Sequence, residues 1–312
     1  MLSGNGRDKK YIDPSSARNY SNNNAIQYKQ AKDFIDRYGK LIKGPVLDIG
    51  SGDGSVTAYI AGKFAVPITG LDISDARVAY ANQTYGNHRI SFVAGDAVRM
   101  HYQPEITSKQ YGTVVSFSAL HHVPAHMHFL LFRNVFRLLN QDGRALFLIP
   151  GRSPELHDAI NETANSDKWK DYFTGFDLSK VRAYETPEHY RLHFLRSGFY
   201  RCDVTLKTLE GGKDLDVAGM KRFLSGWLPH LAHLKIEIHG HANVEDTSDR
   251  LLQDIVEKYF QKMNKNTNET VHPCVTQNIV IAYASKQSFF NCQTGKTKRQ
   301  KTDENITPRA RL

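Results

Sequence analysis

The chain has 312 residues, 40% hydrophobic and 23% charged, enough to bury a full core and ordinary for a soluble protein. No stretch approaches the roughly 20 apolar residues that span a bilayer, and the polar start MLSGNGRDKKYIDPSS lacks the apolar centre of a signal peptide. Of the formal net charge of +9, +5 falls after residue 285, in an aperiodic polar tail, so the body is only mildly basic.

Three cysteines, Cys202, Cys274 and Cys292, form no CxxC pair. They argue against a disulfide framework and a zinc site and suit a reducing compartment, so a cytoplasmic location is expected.

Ala31, Phe34, Ile35, Tyr38 and Ile42 recur at helical spacing and predict an amphipathic helix over 28–43, stopped by Gly44 and Pro45. VLDIG follows as a buried strand, and SVTAYIAGKF as a helix capped by Ser55. PITGLDIS reads as a strand, DARVAYANQTYG as a helix capped by Ser74 or Asp75, and RISFVAGDA as a third strand. YGTVVSFSAL is a fourth strand, then a helix runs from about Ala125 to Leu139, and GRALFLIPG is a fifth strand. Such alternation predicts a parallel sheet covered by helices on both faces.

After Pro150 the rhythm breaks. Residues 153–197 read as mostly helical and aromatic-rich, closing with a helix that starts at Thr186 or Pro187 and ends at Gly198. YRCDVTLKTLE returns to strand, 216–265 to helix in two or three pieces, and CVTQNIVIAYAS is a last strand. The expected division is an N-terminal arm and lid helix (1–44), a ligand-binding core (45–150), a helical cap segment (151–197), late strands with inserted helices (198–286), and a basic, disordered tail (287–312).

The stretch GPVLDIGSGDGSVT places four glycines in fourteen residues behind a strand. No Lys follows them, so a P-loop is excluded, and Ser55 stands where the dinucleotide fingerprint needs its third glycine. What remains is D-x-G-x-G-x-G, from Asp48 through Gly50 and Gly52 to Gly54. Three side-chain-free positions let a ligand lie against the backbone of the strand-to-helix turn. Asp72 lies 18 residues beyond Gly54 at a strand end, where a carboxylate can accept both hydroxyls of a ribose.

These residues resemble the class I methyltransferases that use S-adenosylmethionine. The resemblance implies a Rossmann-like α/β sheet, mostly parallel with an antiparallel last strand, carrying an N-terminal helical arm and a cap inserted between late strands. By similarity, Asp48 positions the cofactor's cationic amino end, with Ser51 in the same turn. Asp72 and Ile73 hold the ribose, Asp96 accepts from the adenine amino group, and Ala97 meets the ring edge. Ser116, Phe117 and Ser118, in SFSALHHV, border the methyl-donor sulfur.

Several methyl acceptors compete. The amino-group enzymes resemble one another in a [DNS]PP[YF] motif, whereas Ser118-Ala119-Leu120-His121 has no proline pair, so no nucleic-acid partner is expected. YSNNNAIQYKQAKDFIDRYG is similar to the arm of the trans-aconitate and juvenile-hormone-acid methyltransferases. In that group the arm, with Tyr20 here, folds over the cofactor, and its Gln, here Gln27, faces the substrate carboxylate. His122 stands where the group carries Trp, and Trp227, in FLSGWLPHL, matches its cap as a pocket wall.

A carboxylate is ionised at neutral pH and needs no base, whereas a phenol or alcohol usually does. The first expectation is therefore O-methylation of a small-molecule carboxylate, with Gln27 and His122 holding the acid. The alternative is a hydroxyl or carbon methyltransferase with His121 or His122 as base, and a second is a methyltransferase-like binding module acting through its tail. His122, His126 and His128 suggest a metal by spacing alone, but lack an acidic partner, so none is expected. The molecule is expected to be a monomer or homodimer.

Overall fold

In the computed structural model, residues 25–210, 214–237, 244–271 and 274–284 are described. Among them, seven strands form one sheet in the order β3-β2-β1-β4-β5-β7-β6. These are β1 (Val46–Ile49), β2 (Ile68–Asp72), β3 (Ile90–Ala94), β4 (Tyr111–Phe117), β5 (Leu139–Pro150), β6 (Arg201–Glu210) and β7 (Cys274–Tyr283). The first five pair parallel, and β7 runs antiparallel between β5 and β6. The sheet is thus the Rossmann-like, mostly parallel one expected, with an antiparallel last strand.

Alternation of side chains along each strand divides the core between two faces. On one, Leu47, Ile49, Val114, Phe147 and Val280 pack against α4 (His128–Leu138) and α6 (Pro187–Arg196). On the other, Val46, Val115, Leu146, Leu148 and Ile279 pack against α1 (Ala25–Tyr38) and α2 (Ser55–Phe64). Strands covered on both faces are near-continuously apolar, which is why VLDI and ALFLI are so readable. α3 (Asp75–Tyr85) closes the sheet edge, with Val78 and Ala81 on Phe92.

A second apolar cluster is built apart from the sheet. It joins α5 (Pro154–Ala164), α7 (Val217–Ser225), α8 (Pro229–Glu237) and α9 (Val244–Lys262) through Ile160, Met220, Leu251, Ile255 and Phe260. Trp169 Nε1 and Lys168 Nζ both reach Asp254 on α9, each at 2.6 Å, and fasten the loop after α5 to this bundle.

The cap therefore groups differently from the chain-order division. It combines 154–176 with helices after residue 215, whereas α6, from the same expected cap segment, buries Tyr190 and Phe194 against the sheet.

Several local expectations are corrected. The first helix spans Ala25–Tyr38, with a single 3₁₀ turn at 39–41, instead of 28–43. Ser55 is not the cap of α2: Gly54, at φ +84°, occupies that place, and Ser55 Oγ donates to Asp53 instead. The helix expected from Ala125 begins as a 3₁₀ turn and becomes α-helical at His128. Ser74 and Thr186 do cap their helices, accepting from Arg77 N and His189 N. No described helix is long and apolar enough to cross a membrane. Tyr20 and the basic tail lie outside the described residues.

Candidate functional site

Because β3, β2, β1 and β4 run parallel, their carboxyl ends open on one edge of the sheet, where such sheets bind ligands. A cavity of about 540 Å³ lies there, between the strand ends, α1 and the cap.

At the strand end, Gly50 (φ +76°) turns the chain so tightly that a Cβ there would come 2.2 Å from that of Ala119. Gly52 N donates to Asp72 Oδ2 and Ser74 N to Asp72 Oδ1, both at 2.9 Å. A carboxylate has about four acceptor sites, so the buried Asp72, which lines the cavity, keeps lone pairs for a diol. Ile73 beside it lines the wall although 42% exposed, an apolar surface awaiting a partner. Asp96 accepts from Val98 N at 2.9 Å, and Asp96 and Ala97 line the same wall.

Ser118 at the end of β4 is held at φ +51°, unusual for a non-glycine residue, and its buried Oγ has no hydrogen-bond partner. An orphaned hydroxyl, a spare carboxylate and an apolar ledge along one concave edge fit a nucleoside with a polar tail.

Five expected cofactor residues do not line the cavity, each for a structural reason. Asp48 lies buried beneath the turn, its Oδ2 accepting from Thr57 Oγ1 at 2.6 Å. Burial pushes its carboxyl up to about 7, with Thr57 opposing and the charge of Asp72 adding. Ser51 is buried, its N–H donating to Leu71 O at 3.1 Å. Gly54 faces away, where a Cβ would meet the Phe92 ring at 2.7 Å. Ser116 Oγ donates to Ile49 O at 2.7 Å, tying β4 to β1. Phe117 packs edge-on to Phe34 of α1.

At the cap end the cavity brings Gln27, His121, His122 and Trp227 together. Gln27 Oε1 and Trp227 Nε1 are buried without a partner. The rings of His121 and His122 lie 4.2 Å apart, His121 buried and His122 open to the cavity. Desolvation, then the positive charge of Arg182, drives both imidazoles well below their ordinary value of 6.5, so both are neutral at pH 7.

Of the histidines considered for a metal, His128 instead contacts His189 Nε2 at 2.9 Å and Val123 O at 3.0 Å. Among the described residues, no three His, Cys, Asp or Glu side chains are arranged to hold a metal.

The wall also holds residues the sequence reading missed. Gln30 and Gln277 are buried and joined, Nε2 of Gln277 donating to Oε1 of Gln30 at 3.1 Å. Gln30 stands one helical turn after Gln27, a spacing that an α1 beginning at Ala25 makes visible. Gln277 interrupts an apolar strand, also a readable signal. Arg182, Tyr184 and His157 join them from irregular chain and from the cap, where no periodicity marks them.

A methyltransferase domain model matches residues 46–143. That match, the fold and the relatives that follow support a class I, S-adenosylmethionine-dependent methyltransferase. It is 28% identical over 290 residues to the juvenile hormone acid O-methyltransferase of Bombyx mori, covering 86% of this chain and 96% of that one. It is 27% identical over 227 residues to the putative methyltransferase 235L of Invertebrate iridescent virus 6, covering 70% and 78%. In fold it is similar to Haemonchus contortus phosphoethanolamine N-methyltransferase 2 in complex with S-adenosyl-L-methionine (TM-score 0.54, 17% identity). That match covers 90% of this chain and spans 60% of the nematode chain's length.

Proposed function

We propose that this chain O-methylates the carboxylate of a small, largely apolar acid. The observation that carries this reading is the acceptor end of the cavity, where Gln27, its Oε1 buried without a partner, meets His121 and His122, both lowered by desolvation. An imidazole held far below 6.5 is a weak base, poorly matched to a phenol or alcohol. A carboxylate arrives ionised and needs no proton removed. The relation to a protein named as a juvenile hormone acid O-methyltransferase supports the same chemistry.

Asp72 and Asp96 are assigned to the ribose and adenine of the donor, Ile73 and Ala97 to its apolar contacts, and Ser118 to its amino-acid end. Gly50 and Gly52 keep the approach bare, and Asp48 acts from beneath the turn as a carboxyl whose negative charge grows as pH rises through about 7. Bound S-adenosylmethionine supplies an already activated methyl carbon, so the protein's contribution is orientation and exclusion of water. Gln27 holds the acid, its amide free to present donor or acceptor by a half-turn, and His122 and Trp227 close the wall around it. A cytoplasmic enzyme acting on a dissolved small molecule is the corresponding setting.

The test is a mass-shift screen with labelled donor against octanoic, dodecanoic, cinnamic and juvenile hormone acids, beside matched phenols and alcohols. Methyl esters are expected from at least one acid, with Gln27→Ala lowering turnover about tenfold or more, the scale of one lost hydrogen bond to a charged group. Methylation of phenols or alcohols alone would refute the carboxylate reading.

A further inference from the structure

Arg182 follows the single helical turn Leu178–Val181 and lines the cavity, yet only 8% of it is exposed. Its Nη1 donates to Val181 O at 2.9 Å and its Nη2 to Trp227 O at 3.0 Å. Tyr184 lies beside the guanidinium and favours its charged form, and Nε is buried with no partner. Among the described residues, no carboxylate forms an ion pair with this guanidinium. Burial draws its pKa down from 12.5, but a guanidinium does not lose its proton in proteins. The fold therefore holds one uncompensated positive charge away from bulk water, an expensive arrangement unless an anion completes it.

The neighbours cannot supply that anion. His121 and His122 are neutral, and His157 and His230 are likewise depressed by burial. Of the other charged wall groups, Arg77 and Lys180 are themselves cationic, and Asp177 is engaged by Ser179 and by Lys180 at 3.8 Å and forms no ion pair with Arg182 among the described residues. At the opposite end of the same cavity stand Asp72 and Asp96. The cavity thus carries Asp72 and Asp96, with Arg77, at its strand end and Arg182 and Lys180, with Asp177, at its cap end, a difference in net sign that favours a cationic donor at one end and an anionic acceptor at the other.

We infer that Arg182 reads the charge of the acceptor: its Nε–H, with the edge of the guanidinium, receives one carboxylate oxygen and leaves the other free for methylation. This inference rests on the carboxylate reading above. Transfer forms one O–C bond and breaks one S–C bond, the sulfur keeping the electron pair. The negative charge of the acid and the positive charge of the sulfonium disappear together, and no proton moves. The ester produced is neutral, so Arg182 loses its counter-ion at the moment of reaction. Arg182 therefore makes the pocket select acid over ester, and methylation itself loosens the product.

The experiment uses the full chain saturated with S-adenosylhomocysteine, titrated with each acid of the panel and with its methyl ester. The wild type is expected to bind a turned-over acid roughly a hundredfold more tightly than its ester, as for a buried charge-assisted hydrogen bond. Arg182→Gln is expected to bring that ratio close to one without changing S-adenosylhomocysteine affinity, and Arg182→Lys to retain about a tenfold preference. A purely structural residue would weaken acid and ester alike and leave the ratio intact, which overturns the inference. Should Arg182→Gln fail to fold, a wild-type ratio near one, or a ratio unchanged in Arg182→Lys, overturns it equally. Failure of the carboxylate reading looks different: the methyl group then appears on a phenol or alcohol and on no acid, and both fall together.

Discussion

Asp48 shows how one buried side chain ties pH to ligand binding. Its carboxyl titrates near 7, so it is mostly protonated at pH 6 and mostly ionised at pH 8. Its assignment to the donor's cationic amino end predicts that S-adenosylhomocysteine binds more tightly as pH rises across that range. The gain should reach up to about tenfold, the equivalent of one pKa unit, and Asp48→Asn should flatten the dependence in calorimetry. Asp48, Gly50, Gly52, Asp72 and Asp96 were all legible because each sits in a short motif beside a strand whose identity the apolar pattern reveals. What was not legible was which motif residues touch the cavity: Gly54 of the glycine turn and Ser116 of SFSALHHV are spent on Phe92 and on Ile49 O. Arg182 was invisible, since its meaning comes from Trp227, 45 residues away, and from the absence of an ion-pair partner among the described residues.

At the scale of elements, the five parallel strands could be placed to within about four residues at either end, β5 starting earliest against expectation at Leu139, whereas the cap could not. A strand buried on both faces announces itself locally, but the cap helices hide their apolar stripes in one another, α5 against α9 and α7 against α9. Leu251, fully buried on α9, belongs to that shared interior. Leu251→Ala is expected to lower stability by about 3 kcal/mol in urea denaturation. Because the cap cluster is separate from those of the sheet, acceptor turnover should fall further than S-adenosylhomocysteine affinity, which calorimetry on the same variant would check. Equal losses in both would mean that cap and sheet respond as one element.

Several buried histidines are kept neutral by folding: His121, His157, His128 (to about 4) and His230 (to about 3). Their folded pKa values lie below the unfolded value of 6.5, so as pH falls the unfolded chain takes up protons first. Their contribution is complete above pH 6.5 and is lost between about 6.5 and 4, each histidine adding a slope of up to about 1.4 kcal/mol per pH unit. Asp48, raised above its unfolded value of 3.8, works in the opposite sense over the same window, one group against several. Urea midpoints are therefore expected to drop steeply from pH 7 to pH 5, and less steeply in His128→Gln. The placement of β7 has a consequence for how the chain is made. It is the last strand synthesised among those described, yet it fills the slot between β5 and β6, and its Thr276 and Gln277 complete the cavity wall. Until the ribosome has passed residue 283, two older strand edges face each other across an open gap, inviting wrong partners. A nascent chain stalled short of Cys274 would be both inactive and prone to stick, and chaperone occupancy should end only when that wedge arrives.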